Sequence, residues 1–113
     1  MVAKAGGAYD VGKMREAVRA GRVEWRKHVL IQLLRRNLSL EAVIQVIQSA
    51  EVIDHYPDDK PFPSALLFGW ISGKPIHVVV AFDESERYAY IVTAYEPDEE
   101  HFQSDYKTRK RPK

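Results

Sequence analysis

The sequence predicts an α+β fold in which two to three N-terminal helices pack on one face of a four-stranded antiparallel sheet. Three observations predict it. Apolar residues recur at helical spacing through the first half of the chain. Near residues 49–52 the pattern changes to strand-length runs rich in β-branched and aromatic side chains. The segments between the later runs are turn-length, too short for the helix that a parallel crossover requires.

Residues 1–9 (MVAKAGGAY) have no periodicity and are expected to be disordered. Asp10 suits the N-cap of a short helix reaching Ala20, and Gly21 suits its end. A second helix is expected over residues 25–36, with Trp25, Val29, Leu30, Leu33 and Leu34 as its apolar stripe. Asn37 stops it by tolerating a left-handed backbone. Ser39 caps a third helix, where Leu40, Val43, Ile44 and Ile47 repeat the stripe. Residues 51–56 then form a short strand, closed by a loop over 57–63, and strands follow over 65–71, 76–82 and 88–95. This gives one domain over residues 10–97, followed by an acidic-then-basic flexible tail over 98–113.

If Glu84-Ser85 is a two-residue turn, Asp83 pairs with Glu86, His77 lies opposite Val92, and Val79 lies opposite Tyr90. Ile76, Val78, Val80 and Phe82 then share one apolar face with Ala89 and Ile91, and that face should meet the helices. The reverse face carries His77, Val79, Ala81, Tyr88, Tyr90 and Val92.

With 113 residues the chain can bury one real core but not two. No run approaches the roughly 20 apolar residues of a membrane span, and the start lacks the apolar centre of a signal peptide. Having no cysteine excludes disulfides, thiolate metal sites and a thiol nucleophile. A cytoplasmic protein is the default expectation. The net charge of +1 hides a strong asymmetry: +5 over residues 1–50, −9 over 51–105 and +5 over 106–113. Clustered Lys and Arg suit nucleic-acid phosphates, although a solvated helix face and a basic tail give the same count.

Three stretches are more specific than composition. They are the YPDDKPFPS segment from Tyr56, the run Gly73-Lys74-Pro75-Ile76-His77-Val78-Val79, and Thr93-Ala94-Tyr95-Glu96-Pro97. Over residues 22–97 the chain resembles a bacterial family catalogued as domain of unknown function 4258, usually placed near the RelE-like ribonuclease toxins. The resemblance implies a RelE/barnase-like fold and a metal-independent endoribonuclease of a toxin–antitoxin type. An antitoxin protein that covers the reverse face and RNA are the partners it implies; no cofactor is.

RelE-type cleavage needs an acid, a base and cations beside one phosphate. On the reverse face His77 is the natural acid or base, and His55 at the end of the first strand can converge on it. Lys74 and Arg87 are the nearby cations, while Tyr88, Tyr90 and Tyr95 can stack bases or donate a proton. His28 and Arg35, two helical turns apart with Gln32 between them, can hold a phosphate or cap the sheet edge through hydrogen bonds. In the tail, Arg109, Lys110 and Arg111 suit RNA phosphates. Asp58-Asp59 reads as a turn rather than a metal pair, so no metal site is expected. Two readings stay open: an endoribonuclease, and a non-catalytic module that binds protein or nucleic acid. The acidity of residues 51–105 weighs against the first, and a histidine held in a second small core is the structural alternative for His77.

Overall fold

The computed structural model describes residues 7–97 together with Asp105 and Lys107. Helix α1 (Val11–Arg19) begins where the Asp10 carboxylate accepts the Lys13 amide and ends before Gly21, whose φ of +84° closes the turn. Helix α2 (Lys27–Arg35) stops at Asn37 in the left-handed region, φ +57°. Helix α3 (Leu40–Ser49) is capped by the Ser39 hydroxyl, which accepts the Ala42 amide. Strands β2 (Glu51–Tyr56), β3 (Ser64–Ile71), β4 (Lys74–Asp83) and β5 (Tyr88–Tyr95) form an antiparallel meander. Among the described residues, no helix is long and apolar enough to cross a membrane.

The α+β class holds, with a fifth strand that the sequence reading lacked. Val23–Trp25 is strand β1, and it pairs in parallel with β5, giving a mixed sheet of order β1-β5-β4-β3-β2. Trp25 therefore belongs to a strand, and α2 starts only at Lys27. A parallel partner is possible because the chain between β1 and β5, which holds α2, α3 and three strands, is a long crossover. Three residues carry too little alternation to announce a strand.

Two turns also differ from expectation. Between β3 and β4 the turn is Ser72-Gly73, both at positive φ, and Lys74 already belongs to the ladder opposite Ile71. Between β4 and β5 the loop takes four residues, so Asp83 pairs with Tyr88 rather than Glu86. The cause is the Asp83 carboxylate. It accepts the Ser85 amide, the Ser85 hydroxyl and the Glu86 amide, which builds a wider turn around one side chain. The Ser85 hydroxyl bond, followed by the amides and against some desolvation, holds this carboxyl below its usual range.

Side chains from all three helices enter the core: Met14 and Val18 of α1, Val29 and Leu33 of α2, Val43 and Ile47 of α3. They meet Leu67, Ile76, Val78, Val80, Phe82, Ala89 and Ile91 of the sheet, the face that the alternation of β4 and β5 foretold. Gly69 lets α3 approach β3, since a Cβ there would sit 2.9 Å from Val46 Cγ1. From α1, the Arg15 guanidinium donates to the carbonyls of Ile47 and Ala50, satisfying the end of α3.

Order reaches further toward the N-terminus than expected. Residues 7–9 are packed: Tyr9 is buried, tilts against Phe82 at 5.5 Å, and donates its hydroxyl to the Val80 carbonyl at 2.8 Å. Ala8 donates its amide to His55 Nδ1 at 3.1 Å. A tyrosine with an apolar ring and one carbonyl partner is an anchor, which the small residues around it concealed. The acidic-then-basic tail lies outside the described residues except for Asp105 and Lys107; Lys107 forms an exposed ion pair with Glu51 at 3.4 Å.

Two measurements check this packing. Gly69→Ala should keep the fold and lower stability by about 1–3 kcal/mol through overpacking against α3, read in a thermal or urea melt. Burial pushes the Tyr9 phenol well above its ordinary value, against a smaller opposing pull from Arg15. The unfolded chain ionises this group near pH ~10 while the folded chain keeps its proton, so stability should fall as pH rises past that value. Tyr9→Phe should flatten that alkaline slope.

Candidate functional site

The reverse face of the sheet is itself largely buried at its centre, where Ser64, Leu66, Phe68, His77 and Ala81 are all shielded. β3 is therefore covered on both faces through Gly69, which explains its near-continuous apolar run. Phe68, His77 and Tyr95 stand opposite one another on three adjacent strands. Their rings meet edge to face, 5.6 Å for Phe68–His77 and 5.3 Å for His77–Tyr95. His77 has no exposed surface, and its Nδ1 lies 3.2 Å from the Tyr95 hydroxyl.

His77 thus faces Tyr95, not Val92. The register shifts by one residue between Val79 and Val80: Val80 pairs with Ile91, Val79 with Thr93, and Val92 is left as the extra residue. After it, β5 turns Ala94 into the core and Thr93 and Tyr95 to the reverse face.

The other sequence-derived acid/base candidates lie elsewhere. His55 pairs with Ala65, a core residue, so it sits on the helix-facing side of the sheet, opposite to His77. Tyr90 pairs with Ala81, four residues along β4 from His77 and so about 13 Å away. There it stacks on Phe62 at 5.3 Å with 10° between the planes, and Tyr88 tilts against it at 5.4 Å. Arg87 is exposed in the β4–β5 loop at φ +53°, its carbonyl accepting from Arg22 Nε. His77 and Tyr95 touch one another, as do Tyr88 and Tyr90, and the two pairs lie apart along the sheet.

The α2 flank resolves into structural and free groups. β1 ends at Trp25 opposite Ile91, which leaves the edge of β5 beyond Ile91 to be served by α2. Arg36 donates to the Ala94 carbonyl at 2.6 Å, and Thr93 donates its hydroxyl to Gln32 Oε1 at 3.4 Å. The edge-capping arginine is thus Arg36; Arg35 is exposed and makes no side-chain bond among the described residues. The neighbouring Arg35 and Arg36 could be told apart only through helix phase, since Arg36 continues the row His28–Gln32–Arg36 at four-residue steps.

Two clefts open at the ends of that row. At the C-terminal end, a cleft of about 350 Å³ is lined by Arg36, Ile71, Ser72, Lys74, Tyr95 and Glu96. At the N-terminal end, a cleft of about 200 Å³ lies between Arg26, His28, Lys60 and Phe62, with Ser64 and Val92 as its floor. Asp59 also lines it, an anion among these cations, with its Oδ2 accepting the Ser64 hydroxyl at 2.5 Å. Arg26, His28 and Lys60 form no side-chain hydrogen bond or ion pair among the described residues, so the cleft presents three unspent donors. The Tyr90 phenol beside it is held above the usual tyrosine range, first by desolvation, then by Glu24, Asp83 and Tyr88, with Arg26 opposing. It remains a protonated donor near neutral pH.

Arg26, Lys60 and Phe62 were not singled out by the sequence. The available signal was Phe62 between two prolines after a lysine, an aromatic in a turn segment that no core pattern claims. Arg109, Lys110 and Arg111 lie outside the described residues. Among the described residues, no group of three or more His, Asp or Glu side chains is arranged to hold a metal.

A family model described as domain of unknown function (DUF4258) matches residues 25–96, which takes in α2 through β5. No curated protein and no solved structure matches the chain.

The His77 environment makes a direct prediction. His77→Gln should cost roughly 1–3 kcal/mol in a denaturant melt, because its buried partners lose a matched ring nitrogen. Tyr95→Phe should cost a comparable amount, since the ring contacts survive but buried His77 Nδ1 loses the hydroxyl beside it. A His77→Gln chain as stable as the parent would show that this row is not part of the packing.

Proposed function

Within the DUF4258 family, to which this chain belongs, we propose that the protein is a non-catalytic module that binds single-stranded RNA. The observation that carries the reading is the cleft of Arg26, His28 and Lys60 beside the stacked Phe62–Tyr90 pair. Single-stranded nucleic acid is held by cations along its backbone and by flat side chains against its bases, and this corner offers both within one small cleft. His28 serves as a phosphate contact here. From it, the flank of α2 leads through Gln32 to Arg36 and the second cleft with Lys74. Arg26 and Arg36 lie ten residues apart on and beside one helix, about 15 Å, enough for a short stretch of strand to follow the flank. The choice of RNA over DNA rests on the RelE-type resemblance of the sequence.

Cleavage is a weaker reading than binding. An endoribonuclease of the RelE type needs its acid, base and cations around one phosphate. Here His55 and His77 occupy opposite faces, and Tyr90 is about 13 Å from the His77 row. His77 is enclosed among rings rather than presented to a substrate.

Fluorescence anisotropy with a labelled oligouridylate, titrated over a range of salt, tests the reading. Arg26→Ala and Lys60→Ala should each weaken binding and each reduce the slope of log K against log salt by about 0.7. Phe62→Ala should cost about 1–3 kcal/mol of binding if a base stacks there. No binding at low salt, or variants with the parent's slope, would defeat the proposal. Cleavage of the RNA by the parent would defeat its non-catalytic part.

A further inference from the structure

We propose a second recognition surface, independent of the RNA reading: the groove between α2 and α3 seats an amphipathic helix of a partner protein, with acidic residues flanking its apolar ridge.

The groove follows from how α2 distributes its apolar residues. Val29 and Leu33 fill the core, yet the helix carries three more large apolar side chains than that contact uses. Leu30 is 39% exposed, Ile31 42% and Leu34 82%, and Leu40 at the start of α3 is 38% exposed. Leu30, Leu33 and Leu34 form one wall and Leu38, Ser39 and Leu40 the other, around a volume of about 290 Å³. Apart from Ser39 these residues offer only hydrocarbon, so the groove has nothing for a phosphate or sugar. Adjacent, exposed large apolar side chains lining a groove on a helix pair are the usual receptor for the apolar ridge of another helix.

Charge selects the occupant. Lys27, Ile31 and Arg35 follow one another at four-residue steps along α2, so two cations bracket the exposed isoleucine on the row beside Leu30 and Leu34. From Arg26 to Ser49 the one acidic residue is Glu41, which sits in the first turn of α3 where it complements that helix's own dipole. A second copy docked through the same groove would set its Lys27 and Arg35 near ours, a like-charge arrangement that opposes association. An acidic-flanked helix gains where the second copy loses.

The test uses the full chain and two synthetic helical peptides. Both carry leucines at i, i+3, i+4 and i+7; one has glutamates on the flanks and its twin has lysines there. Isothermal titration should find the glutamate peptide at least about tenfold tighter, with the gap narrowing at high salt as the rim charges are screened. Leu34→Glu should abolish binding while leaving the melting temperature unchanged, because that side chain is mostly in solvent. Equal affinity for the two peptides, no binding of either, or binding that survives Leu34→Glu would overturn the proposal. Self-association by sedimentation that Leu34→Glu abolishes would overturn it in favour of a second copy. A chain truncated after Pro97 that binds the peptide about tenfold more tightly than the full chain would overturn it in favour of the chain's own C-terminal segment.

Discussion

One extra residue in β5 sets the arrangement on which the rest of the structure depends. Up to Ile91 the strand alternates regularly, placing Ala89 and Ile91 in the core and Tyr88 and Tyr90 on the reverse face. Val92 breaks the count, and from there Ala94 occupies the core while Thr93 and Tyr95 face away from it. Without the bulge, Tyr95 would lie on the helix side and His77 would face an aliphatic neighbour. With it, His77 gains a hydroxyl and an aromatic edge inside a buried row. A polar ring at that depth needs such a partner, because an unsatisfied buried nitrogen is costly.

The same strand divides the labour on its outer edge. β1 covers the first half, and α2 covers the second through Gln32 and Arg36. Several cations of the basic N-terminal half are consumed in this way. Arg15 closes the end of α3, Arg19 bonds Gln48, Arg22 holds the Arg87 carbonyl, and Arg36 holds Ala94. Each of these arginines spends guanidinium donors on backbone or amide oxygens. Arg26, Lys60 and Lys74 instead line clefts, while Lys27 and Arg35 stay on the exposed side of α2. Counting charge along the sequence could not separate the two groups, since both look the same until the fold assigns their partners.

Three surfaces of one helix thus have three fates. The row with Val29 and Leu33 enters the core; the row His28–Gln32–Arg36 serves the sheet edge and ends in two clefts; the row with Leu30 and Leu34 remains open beside α3. This explains why the apolar stripe of α2 is broader than its buried contact. A helix that only supported the sheet would need fewer leucines.

The sequence by itself determined the helix caps, the apolar face of β4 and the limits of β2 and β5, because each is local. Asp10 and Ser39 reach amides three residues on, Asn37 and Gly21 accept the left-handed backbone that ends a helix at little cost, and alternation fixes a face from the strand alone. The family was legible as well, because residues 56–64, 73–79 and 93–97 form a distinctive phrase. Only the tertiary structure decided the rest. It set β1, which is too short to have a pattern and is a strand only because β5 lies beside it. It set the bulge, since a register shift is a property of two strands and not of either one. It put His55 and His77 on opposite faces and chose Arg36 over Arg35, because long-range pairing, not residue type, determines which side chains meet.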